Sequence, residues 1–150
     1  MDLILWRHAD AARGGRDLER KLTAQGRKQA ARMAEWLRER LPSRFKLLTS
    51  PAQRTRETAD ALSARYQISD RLAPGAAPAD VLEAAGWPSR KGAVVVVGHQ
   101  PDLGRVAAVL LAGAESEWPV KKGGLWWISD RERDGKHQVV LRAVMTPDLL

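Results

Sequence analysis

The sequence predicts an α/β domain with a mostly parallel central sheet and an antiparallel edge. Two observations lead there. Strand-like apolar runs alternate with stretches whose apolar residues keep helical spacing. The continuous β-branched run from Ala93 to Val97 has the pattern of a central parallel strand buried on both faces. A third observation supplies the edge: residues 125–129 and 138–145 are strand candidates, and Asp134-Gly135 between them signals a hairpin.

The elements follow in order. Leu3 to Trp6 is a short apolar run ended by Arg7-His8, a buried strand. Residues 9–21 are polar and contain Gly14-Gly15, which predicts a loop. Thr23 is placed to cap a helix with the stripe Ala30, Met33, Ala34, Leu37 and Leu41, stopped by Pro42. Residues 45–49 form a short strand. Ser50-Pro51 predicts a helix start, the hydroxyl as cap and the proline first in the helix. Its stripe is Ala52, Thr55, Ala59, Leu62 and Tyr66. Residues 67–78 are loop-like around Pro74, Gly75 and Pro78, and a short helix is expected over 79–85. After the strand at 93–97, Pro101 opens a helix with the stripe Leu103, Val106, Ala107 and Leu110. No repeat or linker divides the chain, so residues 1–150 are expected to form a single domain.

Composition narrows the function. The 150 residues can bury a core without disulfides, metals or a partner. With 44% hydrophobic and 29% charged residues, a disordered tail is excluded. There is no cysteine, which excludes a disulfide scaffold, a cysteine nucleophile and thiolate-bound zinc. The three histidines lack metal-ligand spacing, so neither metal nor other cofactor is expected. The N-terminus enters a strand at once and no apolar run is long enough to span a membrane. The expectation is a cytoplasmic protein, monomeric and without membrane contact. The net charge of +7 calls for an anionic partner: nucleic acid, a phosphorylated substrate or an acidic protein surface. The six tryptophans suit core packing, with stacking on bases as the alternative.

One pattern decides between these classes. Three apolar strands each end in a polar cluster: Arg7-His8-Ala9-Asp10, Thr49-Ser50-Pro51 with Arg54 one turn on, and Gly98-His99-Gln100-Pro101-Asp102. In a parallel sheet the C-terminal strand ends share one edge, and ligands bind there. Two of these strands run into helix N-termini, which favour an anion. Two imidazoles and two forked guanidiniums on such an edge make a phosphate pocket. Singly, His8 could be a satisfied strand-end residue, His99 a cap and Arg54 a surface cation. At three strand ends together, those readings weaken.

These motifs carry a resemblance. Leu3-x-x-x-Arg7-His8-x-Asp10-Ala11, the Ser50-Pro51-x-x-Arg54-x-x-x-Thr58 element and Gly98-His99 after a β-branched run resemble the histidine phosphatase superfamily. Asp17-x-x-Arg20-x-Leu22-Thr23-x-x-Gly26, Gly98-His99-x-Pro101-Asp102-Leu103 and Pro147-Asp148-Leu149 are similar to the small bacterial phosphohistidine phosphatases of the SixA-like branch. The resemblance implies a three-layer, phosphoglycerate mutase-like fold, with helices on both faces of the sheet and no lid insertion. It implies a metal-independent phosphatase in which His8 attacks phosphorus and becomes a phosphohistidine that water then hydrolyses. Arg7, Arg54 and His99 would hold the phosphoryl oxygens, joined by Gln100, with His99 as a cationic or donor imidazole. Glu57 or another carboxylate would fix the His8 tautomer.

One departure bears on the substrate. Many members of the superfamily carry a glutamate acid after the second motif; in this chain that stretch is Arg71-Leu72-Ala73-Pro74-Gly75-Ala76. Asp10, Asp80 and Asp102 remain as candidate acids. An alkoxide leaving group needs a proton badly, whereas imidazole, with a pKa near ~6.5, departs readily as the neutral base. The missing acid therefore favours phosphohistidine on a protein over sugar phosphates. An open pocket without a lid suits a side chain presented by a partner, and Arg13, Arg16 and Arg20 would steer an acidic one. A small phosphate ester as substrate, and a binding module for phosphate or nucleic acid, are the competing readings. Nucleic acid is not the expected partner, because the histidine and arginine set is complete.

Overall fold

The computed structural model describes residues 1–150. Six strands form one sheet: β1 (Asp2–Arg7), β2 (Phe45–Thr49), β3 (Gln67–Ile68), β4 (Ala93–Gly98), β5 (Leu125–Arg133) and β6 (Lys136–Met145). Their order is β3-β2-β4-β1-β5-β6. The first four are parallel, and β5 and β6 add the antiparallel edge. Four helices flank them: α1 (Ala24–Arg38), α2 (Gln53–Leu62), α3 (Pro78–Ala85) and α4 (Asp102–Ala112).

Alternation along the strands sorts the core into two layers. Ile4, Trp6, Leu47, Val95 and Val97 pack with Met33, Leu37, Ala59 and Leu62 from α1 and α2. Leu3, Leu5, Leu48, Val94 and Val96 pack with Val81, Ala85, Leu103 and Val106 from α3 and α4. The central strands are thus buried on both faces, as the β-branched run predicts. The three-layer architecture of the sequence expectation is present. No helix is long and apolar enough to cross a membrane.

The tryptophans go largely to packing. Trp6 is fully buried and donates its indole N–H to the Gly123 carbonyl at 2.9 Å. Trp36 meets Trp127 edge-on, and Trp118 lies against Trp126. Asp134 and Gly135 both have positive φ, at 53° and 75°, so the hairpin turns with the twist that suits its strands.

Local starts and stops differ in five places. α1 ends at Arg38, short of Leu41 and Pro42, although Leu41 still packs against the same core layer. The Ser50 hydroxyl is not the cap of α2: it accepts from Ala52 N–H at 3.1 Å, and the helix begins at Gln53. Pro51 therefore lies outside that helix. Pro101 stands in the cap position of α4 and not in its first turn. Tyr66 falls beyond α2, which ends at Leu62, yet still packs against the same core layer. Within the expected loop at 67–78, Gln67 and Ile68 pair with Leu48 and Thr49 as an edge strand, too short to leave a period in the sequence. Thr23 caps α1 as expected, accepting from Gly26 N–H at 3.0 Å.

Candidate active site

The three polar clusters meet at the C-terminal ends of β1, β4 and β2, which are neighbours in the sheet. Backbone hydrogen bonds fix the strand ends to one another: His8 N–H donates to Gly98 at 3.1 Å, and Ser50 N–H to Val97 at 3.2 Å. His8, Arg54 and His99 are each buried, at 7%, 4% and 3% exposure. The His8 and His99 rings lie 5.5 Å apart between centroids.

His8 has a defined tautomer. Its Nδ1 is 2.7 Å from the Ala9 carbonyl, which can only accept. The proton therefore sits on Nδ1, and Nε2 keeps its lone pair. Burial pushes the His8 pKa down to about 4; the Ala9 carbonyl opposes this, while Arg54 and Arg7 add to it. At neutral pH His8 is uncharged.

His99 is also neutral. The Arg54 guanidinium approaches its Nδ1 at 3.3 Å and can only donate, so Nδ1 accepts. The ring proton is on Nε2 and goes to Ser50 Oγ at 2.7 Å. Burial, then the charge of Arg54, push its pKa down to about 3. Of the two expectations for position 99, a cationic or a donor imidazole, burial and two nearby guanidiniums favour the neutral donor.

The arginines are tied into the frame. Arg7 donates to the Val120 carbonyl at 2.8 Å, and its buried Nε has no partner. Arg54 projects from the first turn of α2. Its two terminal nitrogens reach the Asp17 carbonyl at 2.7 Å and the Asp17 carboxylate at 3.2 Å, and its buried Nε is likewise unpartnered. One turn on, Thr58 Oγ1 donates to the Arg54 carbonyl at 2.8 Å and accepts from Ala9 N–H at 3.1 Å. The Ser-Pro-x-x-Arg-x-x-x-Thr spacing thus has a mechanical meaning. Ser50 holds His99, Arg54 enters the site, and Thr58 fastens α2 to the backbone beside His8.

Residues 3–77, half of the chain, match the histidine phosphatase superfamily, branch 1. The chain belongs to the histidine phosphatase superfamily. An uncharacterized protein of Picosynechococcus sp. is 35% identical over 137 residues, covering 83% of this chain and 82% of that one. A structure from Nakamurella multipartitia, provisionally assigned as the phosphohistidine phosphatase SixA, shares 26% identity at a TM-score of 0.77. It covers 97% of this chain and 95% of its own. The protein histidine phosphatase SixA, solved with tungstate, shares the fold at a TM-score of 0.76 and 23% identity, with 99% of each chain covered.

In this histidine phosphatase the other site expectations fare differently. Gln100, expected on the phosphate, is engaged at both ends of its amide: it accepts from Gly104 N–H at 2.7 Å and donates to the Trp118 carbonyl at 2.8 Å. It braces α4, because the helix start leaves Gly104 N–H in need of an acceptor. Asp10 is held by the Thr23 hydroxyl at 2.7 Å and by Lys122 at 3.0 Å. The Thr23 bond, then Lys122, keep its carboxyl below the usual range. Asp102 is 2% exposed and accepts from Gly75 and Ala76 N–H at 2.9 and 3.2 Å. Burial raises its pKa against those two bonds. Asp102 thus pins the very stretch in which relatives place their acid. Asp80 stands exposed in the first turn of α3, on a rim with Arg71 and Gly75. Glu57 is turned away from the His8 tautomer: it accepts from Leu22 N–H and Arg27, each at 3.1 Å. The Ala9 carbonyl does that work instead.

Sequence reasoning missed three partners of the site: the Ala9 carbonyl on His8, Ser50 on His99, and Asp17 on Arg54. The first two lie within the motifs, but their contacts depend on how the strand ends turn. Asp17 was visible only as part of the Asp17-x-x-Arg20 pattern, 37 positions before Arg54.

Proposed function

We propose that this histidine phosphatase removes the phosphoryl group from phosphohistidine on a protein, through a covalent intermediate on His8. The observation that carries the reading is the His8 Nδ1 to Ala9 carbonyl contact of 2.7 Å, which leaves Nε2 as a free lone pair beside Arg54 and His99. Nε2 attacks phosphorus as the bond to the leaving nitrogen breaks, and the departing ring, protonated on its other nitrogen, leaves as neutral imidazole. Water then attacks the phosphoenzyme, the P–N bond to His8 breaks, and inorganic phosphate leaves with Nε2 restored. Arg7 and Arg54 offset the charge spread over the phosphoryl oxygens. A dianion beside His99 favours its protonation, which would turn that ring into a third cationic donor.

The substrate class rests on the leaving group. Asp10 is held by Thr23 and Lys122, and Asp102 is buried with one oxygen on the Gly75 and Ala76 N–H groups, which leaves the exposed Asp80 as the candidate acid for an alkoxide. An imidazole leaving group needs the least help. Arg13 and Arg16 are exposed on the adjoining loop and suit an acidic partner face. We further infer a monomer acting in the cytoplasm without a metal.

The test is phosphate release, in the presence of a chelator, from a phosphohistidine-bearing protein and from a small aryl phosphate. The expected result is release from the protein that falls by on the order of a thousandfold or more in His8→Ala. Turnover of the aryl phosphate alone would move the substrate to small esters. Release from neither would leave a binding module.

A further inference from the structure

Arg54 is the arginine best placed to receive a phosphoryl group, and a carboxylate already holds it. The two terminal nitrogens form the fork that would grip two phosphoryl oxygens. One donates to the Asp17 main-chain carbonyl at 2.7 Å; the other meets the Asp17 carboxylate at 3.2 Å. The same nitrogen also reaches His99 Nδ1 at 3.3 Å. Asp17 therefore bonds where the fork faces the second histidine.

The two partners are unequal. The Arg54 side chain is 5% exposed, whereas that of Asp17 is 57% exposed. The arginine belongs to the frame; the aspartate comes to it on a loop. That loop is a small closed structure. Ala11 and Leu22 form a bridge at its base, and Ala12 N–H donates to Lys21 at 2.8 Å. Arg20 spans it, bonding the Ala12 carbonyl at 2.7 Å and the outer oxygen of Asp17 at 3.2 Å. Gly14 and Gly15 have φ of 87° and 72°, and a Cβ at either would meet nothing within 4 Å. The outer part of the loop borders open space, while its base is bridged.

We propose that Asp17 is a built-in competitor for the phosphoryl group. Its carboxylate holds one arm of the Arg54 fork, yields it to a phosphoryl oxygen when substrate binds, and takes it back as phosphate leaves. The inference rests on the proposed phosphatase reading and adds the control of phosphate affinity to it. A phosphoryl dianion wins the exchange because it carries more charge than one carboxylate and engages Arg7 and His99 as well. Inorganic phosphate is the weaker claimant after turnover, since the partner protein no longer adds binding energy. The returning carboxylate then favours product release. Burial opposes ionisation of Asp17, but the bonds from Arg54 and Arg20 outweigh it and hold its pKa below the usual value. The competitor is therefore charged at neutral pH.

Calorimetric titration of the full chain with inorganic phosphate at neutral pH tests this, with Asp17→Asn and Asp17→Ala beside wild type. Asn keeps an oxygen that can accept from Arg54 but removes the charge. Both variants are expected to bind phosphate more tightly, on the order of fivefold, the scale of an ion pair with one exposed partner. Weaker binding in Asp17→Ala, restored in Asp17→Asn, would overturn the proposal and make Asp17 a positioning residue for Arg54. Unchanged affinity in both would overturn it as well. If wild type binds no phosphate and Arg54→Ala changes nothing, the phosphatase reading itself fails, a result distinct from the other two.

Discussion

At the scale of single residues, the site works by keeping two imidazoles uncharged next to two guanidiniums. His8 and His99 titrate at about 4 and about 3 because burial and neighbouring cations penalise their protonated forms. Nuclear magnetic resonance of the ring protons should therefore show neither histidine titrating between pH 8 and pH 5, while the exposed His137 titrates above its ordinary value. The Asp130 carboxylate, 2.7 Å from His137 and hydrogen-bonded to it, raises the pKa of that ring. Saturating phosphate should move His99 upward. A His8 or His99 transition near the ordinary ~6.5 without phosphate would contradict both neutral tautomers. The same shifts set a stability window. In the unfolded chain these rings take up protons near ~6.5, so the native state binds fewer protons below that pH. Their contribution is complete above that value and is lost as pH falls through about 4 for His8 and about 3 for His99.

At the scale of elements, the site is held by the connections that leave each strand. The α/β alternation, the central strand and the three clusters were legible because each depends on residues close in sequence. Apolar runs, proline stops and strand-end polarity are local signals. The duties of the carboxylates were not legible. Lys122 reaches Asp10 across 112 residues, Arg54 reaches Asp17 across 37, and Asp102 reaches Gly75 across 27. No spacing rule encodes such pairs, so Asp10 and Asp102 read as free acids until the fold engaged them. Helix starts were misplaced for a related reason. Ser50 and Pro101 have the chemistry of helix beginnings, but Ser50 is drawn to His99 and the chain turns helical only afterwards. The start of α1 provides a test. Gly26 sits so close to the β1–α1 connection that a Cβ would lie 2.0 Å from the Asp10 carbonyl. Gly26→Ala should cost about 1–3 kcal/mol of stability, measured by denaturant unfolding. A neutral effect would mean that the connection yields freely and does not fix the backbone beside His8.

At the scale of the whole molecule, charge and the placement of the site agree with the proposed reading of a substrate presented by a partner. The chain carries +7, and its reactive groups lie at one edge of the sheet. A hollow of about 570 Å³ lies instead at the opposite strand ends, among Arg44, Lys46, Tyr66 and Arg90. Size alone does not locate the chemistry; the meeting of three strand ends with two neutral histidines does. The central claim is that phosphate passes through His8. Rapid mixing with a protein bearing radiolabelled phosphohistidine, quenched in alkali to preserve the P–N bond, tests it directly. Transient label on the wild-type chain, absent from a folded His8→Ala variant, is the predicted result. Label that persists in His8→Ala, or phosphate release with no label ever on the chain, would contradict it.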